Sequence, residues 1–306
     1  MLDVHQLQVF MVAAELLNFS QAAKKLHMSQ PSVTQHVRCL EERFQKPLFV
    51  RFRNHLTLTD AGATLLPLAA EMVQLSIRTE EIIQSLDGDI CGHLILACTT
   101  TPGKYILAPR IANFLKLHPQ VSATVKVMGR GEAMRQLLSG RVNLAVTSVI
   151  EYSPEIDFCK LLTDEIHLTV SASHPWAMKG QISVDELLEE RFIMREETSG
   201  NYACVRAALA TIGVNIDSLN RILTLGNSEA IAFAIMEGVG VGFVSNMIFR
   251  NMKEGRMAQV KVENLQIHQD VTLLQSQRQR ASSAQIAFWQ YISELEQSGN
   301  GSSAKA

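Results

Sequence analysis

The sequence predicts an α/β chain in three parts: a small helical module with a β-hairpin, a long connecting helix, and a two-lobed domain. Three observations carry this. Phe19 to Glu42 holds two short helical patterns separated by a tight turn. Apolar residues recur at heptad spacing from Leu65 to Leu86, and from Gly92 onward strand-like and helix-like segments alternate. With 306 residues, 47% of them hydrophobic, the chain can fill more than one core.

Val4 to Leu17 reads as a first helix, with Leu7, Phe10, Met11, Ala14 and Leu17 on its buried side. Ser20 is placed to cap the second, Gln21 to Leu26, whose paired alanines allow a close helix crossing. His27 and Met28 make the turn. Ser29 caps the third helix, and Pro31 falls in its first turn, where a missing N–H costs nothing. Val33, Val37, Leu40 and Phe44 form one buried stripe. An advance of about 100° per residue puts Ser32, Gln35 and Arg38 opposite, with Thr34 on a shoulder. Such side chains read base edges in the major groove, although a solvated helix face has the same periodicity.

Leu48, Val50 and Phe52, with Leu56 and Leu58, suggest two strands turning at Asn54. Thr59 then caps a helix to about Leu86, and Pro67 is expected to kink it. Its stripe Leu65, Leu68, Met72, Leu75, Thr79, Ile82 and Leu86 fits a coiled coil, and equally one helix packed on its own domain. Asp87-Gly88-Asp89 reads as a hinge. Beyond it, segments from Leu94–Cys98 to Val142–Thr147 form a first α/β set, and segments from Ile166–Val170 to Val239–Val244 a second. The chain crosses near Leu161 and returns through Asp270–Gln275 to a helix Ser282–Leu295, so two lobes share two crossovers. Ser298 to Ala306 is small and polar and is expected to lack structure.

Net charge is −2, but up to Leu66 seven Lys and Arg face five Asp and Glu, a local +2. Arg51, Arg53 and His55 crowd one stretch, enough for a phosphate-facing patch. Five scattered cysteines without a CxxC spacing suit reduced thiols in a cytoplasm, used as small core filler. No signal peptide or membrane span is expected, since Glu237 and glycines interrupt the longest apolar run. No metal-ligand spacing and no nucleophile elbow is present, so neither cofactor nor metal is expected. Gly238, Gly240 and Gly242 lack the third glycine of a nucleotide loop, because position 243 is Phe.

Leu7-Gln8-Val9-Phe10, Asn18-Phe19-Ser20-Gln21-Ala22-Ala23, Ser29-Gln30-Pro31-Ser32-Val33, Leu40-Glu41, Pro47-Leu48-Phe49-Val50-Arg51 and Leu58-Thr59-Asp60-Ala61-Gly62 stand in order. Together they resemble the N-terminal signature of the LysR-type transcriptional regulators. Gln45 departs from it, since the family usually has a glycine there. The resemblance implies a winged helix-turn-helix, a dimerising linker helix and a periplasmic-binding-protein-like effector domain. The corresponding divisions are 1–59, 60–88 and 89–306, with lobe one at 89–162 and 268–297 and lobe two at 163–267. The implied partners are double-stranded operator DNA, a small metabolite and a second copy of the chain, as a homodimer or a dimer of dimers.

The expected DNA-facing set is Gln30, Pro31, Ser32, Thr34, Gln35 and Arg38, with Arg51 and Arg53 on the wing. The expected dimer seam is Leu65, Leu68, Met72, Leu75 and Ile82. Two hydroxyl-rich turns, Thr99-Thr100-Thr101 and Thr198-Ser199, precede helices at the carboxyl ends of strands, and Thr147 and Ser148 close another strand. Helix N-termini and hydroxyl donors suit a small anion. Each cluster alone also fits plain helix capping. In LysR-type regulators the corresponding turns contact the effector, and here the first has one extra residue before Tyr105. The competing expectation is a small-molecule binding protein or enzyme with a fused helical module; an enzyme would need an activating base beside these hydroxyls.

Overall fold

The computed structural model describes residues 1–52, 55–84, 89–148, 153–252, 255–278 and 280–302, with the side chains of 52, 84 and 297–302 set aside. The chain forms two compact units, one built on Met1–Asp89 and the other on Ile90–Leu138 and Val142–Ala306.

The first unit packs α1 (Val4–Leu16), α2 (Phe19–Lys25), α3 (Gln30–Phe44) and the start of α4 (Asp60–Gln84) around one core, with a hairpin of β1 (Phe49–Phe52) and β2 (His55–Leu58). Asn18, not Ser20, caps α2: its Oδ1 accepts from the N–H groups of Ser20 and Gln21, both at 3.0 Å. Ser29 caps α3 as expected, accepting from Ser32 N–H at 3.2 Å. Thr59 Oγ1 accepts from Gly62 N–H at 3.1 Å and starts α4. Leu17 and Phe44 are exposed rather than core, at 42% and 37%. Both residues sit where a helix stops at a left-handed residue: Leu17 itself, with φ 45°, and Gln45, directly after Phe44, with φ 52°. Gln45 thus adopts the backbone geometry a glycine would supply. Val50 also points outward, while Leu48 and Phe49 fill the core, Phe49 meeting the rings of Phe10 and Phe19 edge-on. Asn54, Leu86 and the Asp87-Gly88 hinge lie outside the described residues.

In the second unit a mixed sheet runs through both lobes. Lobe one contributes β3 (Gly92–Cys98), β4 (Val121–Val127) and β5 (Leu144–Thr147). Lobe two adds β7 (Gln181–Ile182), β10 (Gly242–Ser245) and β11 (Met257–Val262), with β8 (Arg191–Arg195) and β9 (Asn220–Leu225) as a separate parallel pair. The two crossovers are strands. β6 (Ile156–Ser171) pairs with β12 (His268–Ser276) over Ile156–Glu165, then with β10 and β11 beyond. The crossover expected near Leu161 is β6 itself, one continuous strand, with Leu161 buried in lobe one and Ile166, Leu168 and Val170 in lobe two. Strand β11 and the helix α12 (Asn246–Asn251) are not anticipated by the sequence analysis.

Helices α5 (Thr100–Pro102) and α6 (Ala108–Leu117) are joined by a π-helical turn over Gly103–Leu107. A π-turn absorbs one extra residue in a helix, which accounts for the insertion before Tyr105. Gly103 is required there: a Cβ would fall 2.4 Å from Cys98 Sγ. The remaining helices are α7 (Arg130–Leu138), α8 (Pro175–Lys179), α9 (Val184–Glu189), α10 (Gly200–Thr211), α11 (Ser228–Met236) and α13 (Ser283–Ser302). The last runs past Leu295, where an unstructured tail is expected from composition. No proline follows to stop it, and an Arg110–Glu296 ion pair at 2.6 Å anchors its final turns.

Candidate functional site

Two surfaces carry the predicted residues. On α3, Gln30, Pro31, Thr34, Gln35 and Arg38 are exposed and Ser32 is half-buried, while Val33, Val37 and Leu40 face the core. Thr34 Oγ1 donates back to Gln30 O at 3.0 Å. The Gln35 amide donates to Cys39 Sγ, a weak acceptor, at 3.6 Å. Arg38 pairs with Glu42 at 2.7 Å in an open i,i+4 bridge. Such a bridge is worth about 0.3–0.5 kcal/mol, against about 1–3 kcal/mol for a bidentate base contact, so it does not withhold Arg38 from DNA. Glu41 Oε1 accepts from Leu48 N–H at 2.8 Å and Phe49 N–H at 3.3 Å, tying the wing to α3. Arg51 is exposed on β1; Arg53 lies outside the described residues.

Along α4, Leu65 belongs to its own unit's core with Ala69 and Val73, and is therefore removed from the expected seam. Leu68, Met72 and Leu75 are exposed at 53%, 38% and 63%, Ile83 at 60%, and Ile82 is half-buried. The helix thus has two apolar stripes, and Leu68, Met72 and Leu75 of the outer one stay exposed among the described residues of the first unit.

In the second unit a cavity of about 270 Å³ lies between the lobes. Thr99, Thr100, Thr101, Thr198 and Ser199 all line it. Thr147 does not: it is fully buried in β5, paired with Thr272, and the next residue, Ser148, takes the place expected of it. Strand parity decides this, since successive side chains point to opposite faces. The start of the α5–α6 run and the N-termini of α7, α10 and α11 border the cavity, through Thr99–Pro102, Met128–Arg130, Thr198–Asn201 and Ser228. Each such end carries about half a positive charge.

Capping is not the use of the key hydroxyls. Thr99 and Ser199 occupy N-cap positions, yet neither side chain makes a cap hydrogen bond. Asn18, Ser29, Ser183 and Asn227 all do at their own helices. Thr99 Oγ1 is buried without any partner among the described residues, as is Gln269 Oε1, and both residues line the cavity. A larger recess of about 580 Å³ borders β6 and the β11–β12 turn, but none of these partnerless atoms lines it.

Arg195 and Arg130 line opposite lobes of the cavity. Arg195 donates to both oxygens of Glu196, each at 2.7 Å, and to Ser228 Oγ at 2.6 Å. Burial, the largest single influence, would raise the Glu196 carboxyl, but the Arg195 hydrogen bonds, the Glu196 backbone N–H and the Arg195 charge together hold it low. Across the lobes, Lys104 Nζ donates to both Glu229 oxygens at 2.8 and 3.0 Å, and the Tyr105 hydroxyl donates to the same carboxylate. Burial first, then Glu229, pushes the Tyr105 phenol up. The π-turn supplies both Lys104 and Tyr105, so the inserted residue builds a clasp between lobes.

Beneath the cavity, Ser245 Oγ donates to Asp164 Oδ2 at 2.6 Å, and Ser245 itself lines the cavity. Burial raises the Asp164 carboxyl, against the opposing effects of Ser245, Met247 N–H and His167. A carboxyl raised in the folded state holds its proton more tightly there. Its stabilising contribution is complete below the ordinary Asp value of about 3.9 and is lost as pH rises through the folded pKa. In urea unfolding at about pH 4 and about pH 7, Asp164→Asn should gain on the wild type as pH rises. An equal stability gap at both pH values would acquit Asp164.

Residues 4–63 match the profile of the bacterial regulatory helix-turn-helix protein, lysR family, and residues 87–297 that of the LysR substrate binding domain. The chain belongs to the LysR family of transcriptional regulators. This LysR-type regulator is 27% identical over 289 residues to an uncharacterized HTH-type transcriptional regulator of Methanocaldococcus jannaschii, covering 94% of this chain and 97% of that relative. It is 28% identical over 292 residues to the RuBisCO operon transcriptional regulator of Allochromatium vinosum, covering 95% of each. Full-length CbnR complexed with its target DNA shares the fold with a TM-score of 0.73 at 20% identity, covering 96% of this chain and 99% of CbnR. The CcmR regulatory domain of Synechocystis PCC6803, in complex with 2-PG, matches with a TM-score of 0.61 at 22% identity, covering 67% of this chain and 97% of that domain.

The LysR-type regulator's relatives are transcriptional regulators, not enzymes. Among the described residues no helix is long and apolar enough to cross a membrane, and no group of three His, Cys, Asp or Glu could hold a metal. Sequence reasoning passed over Arg130, Ser228, Ser245 and Gln269. They reach the cavity from segments far apart in the chain, with no local spacing to mark them.

Proposed function

We propose that the protein is a cytoplasmic regulator whose operator binding answers to a small anionic metabolite held between the lobes by Thr99, Thr100, Thr101, Thr198 and Ser199. The observation that carries this reading is the pair of N-cap residues, Thr99 and Ser199, whose hydroxyls decline to cap. Convergent helix N-termini favour negative charge and supply N–H donors to it. The CcmR regulatory domain in complex with 2-PG supports the placing of an effector in this kind of domain. Effector binding acts by preferring one angle between lobes or subunits, because a ligand shifts only states it binds unequally.

On DNA, Gln35 reads a base from α3, with Gln30, Pro31, Ser32, Thr34 and Arg38 beside it, and Arg51 holds the backbone from the wing. The outer stripe of α4 pairs two chains, and two dimers assemble at the promoter. The divisions 1–59, 60–88 and 89–306 follow these roles. Gln35→Ala should weaken specific operator binding by about 1–3 kcal/mol while sparing random DNA. Arg51→Ala should weaken both and flatten the salt dependence. Fluorescence anisotropy across a salt series measures both; equal losses on operator and random DNA would remove Gln35 from the reading set.

A further inference from the structure

The cavity contains a group that an anion alone leaves unsatisfied. Gln269 stands on β12, one of the two strands shared by the lobes, is 5% exposed, and lines the cavity. Its Oε1 is buried with no hydrogen-bond partner among the described residues. Burying an amide oxygen without a donor is costly, so whatever fills the cavity is selected for bringing one. A carboxylate or fully ionised phosphate oxygen is itself an acceptor and cannot do so.

We propose that the effector carries a hydroxyl beside its anionic group, and that Gln269 is the residue that reads it. This rests on the cavity being the effector site. The donor is a neutral hydroxyl rather than an ammonium. The Arg130 and Arg195 guanidiniums and the helix N-termini around the cavity disfavour a cation. Among the described residues the one lining carboxylate, Glu196, already accepts from Arg195 with both oxygens. Thr99 Oγ1, also partnerless, can donate to the hydroxyl oxygen or accept from it. The cavity of about 270 Å³ holds roughly nine water volumes at about 30 Å³ each, which suits a short hydroxy acid or a short hydroxylated phosphate ester. Water can also satisfy Gln269, and a ligand lacking the hydroxyl displaces that water without replacing its hydrogen bond.

The test is calorimetric titration of the full-length protein with two matched pairs: malate against succinate, and glycerol 3-phosphate against propyl phosphate. In at least one pair the hydroxylated member should bind roughly tenfold tighter or more. The two pairs tell a carboxylate effector from a phosphate one. Gln269→Met, close in volume but without the amide, should erase that preference while leaving the deoxy member's affinity within about threefold of wild type. Gln269→Leu serves if the methionine variant does not fold. Equal binding within both pairs by the wild type would overturn the hydroxyl, since an amide turned to present Nε2 would then be serving the anion, and the anion reading would stand. A preference that survives loss of the amide would overturn the role of Gln269. Absence of binding by all four probes at millimolar concentration would overturn both the hydroxyl and the anion site.

Discussion

Leu75→Glu should leave a monomer that no longer holds its operator tightly. Leu75 is 63% exposed on α4, midway along a stripe with Leu68, Met72 and Ile83 that remains exposed among the described residues. Apolar stripes of this kind mark interfaces. Pairing two copies buries each leucine, worth about 1.5–3 kcal/mol per side chain. A glutamate at the same point instead places two like charges in an apolar seam. The DNA consequence exceeds the interface energy. Two recognition helices held together gain roughly 10²–10⁴ in effective affinity over one, and the monomer forfeits it. Light scattering gives the mass and anisotropy the operator affinity; an unchanged dimer would refute the seam.

Gly62→Ala has the second large effect, and it should fall on the first unit alone. A Cβ at Gly62 would stand 2.2 Å from Leu48 O and 2.9 Å from Leu58 Cδ2. The obstacle is backbone, and that backbone is fixed. Leu48 O accepts from Thr59 N–H at 3.0 Å, and Thr59 Oγ1 donates to Pro47 O at 2.7 Å while receiving Gly62 N–H. No rotamer relieves the clash, so α4 must move away from the wing. Overpacking of this severity costs on the order of 3 kcal/mol or more. That corresponds to a fall of about 10 °C or more in the melting of a unit this size. Differential scanning calorimetry of the full chain should show the loss, with operator binding falling alongside and effector affinity retained. A melting profile like the wild type's would show that the joint between wing and α4 is loose.

The LysR signature thus has physical content residue by residue. Ser29 caps, Pro31 opens the helix, Glu41 ties down the wing and Gly62 permits the close approach of α4. All four positions are visible in the sequence, as are the two faces of α3, because local periodicity and capping chemistry determine them. What could not be read were choices between equivalent patterns. α4 carries two stripes, and only packing shows that Leu65, Ala69 and Val73 face inward while Leu68, Met72 and Leu75 face out. Thr147 and Ser148 are both hydroxyls at a strand end, and a single step of parity separates the lining residue from the buried one. Asn18 and Ser20 are both capping residues, two positions apart. Gln269 had no local signal at all. It becomes notable only when β12 is seen to run between the lobes and its amide oxygen is left without a donor.

The central claim is that the hydroxyls beside the helix N-termini hold an anion that controls DNA binding. The measurement that tests it most directly is operator affinity of Thr101→Val and Ser199→Ala, with and without each anion the wild type binds by calorimetry. Both variants should remain dimeric and should match wild-type operator affinity in the absence of anion. Neither should show the change in affinity that the anion produces in the wild type. Wild-type anion affinity and an intact operator response in both variants would contradict the account and reduce Thr101 and Ser199 to structural polar residues.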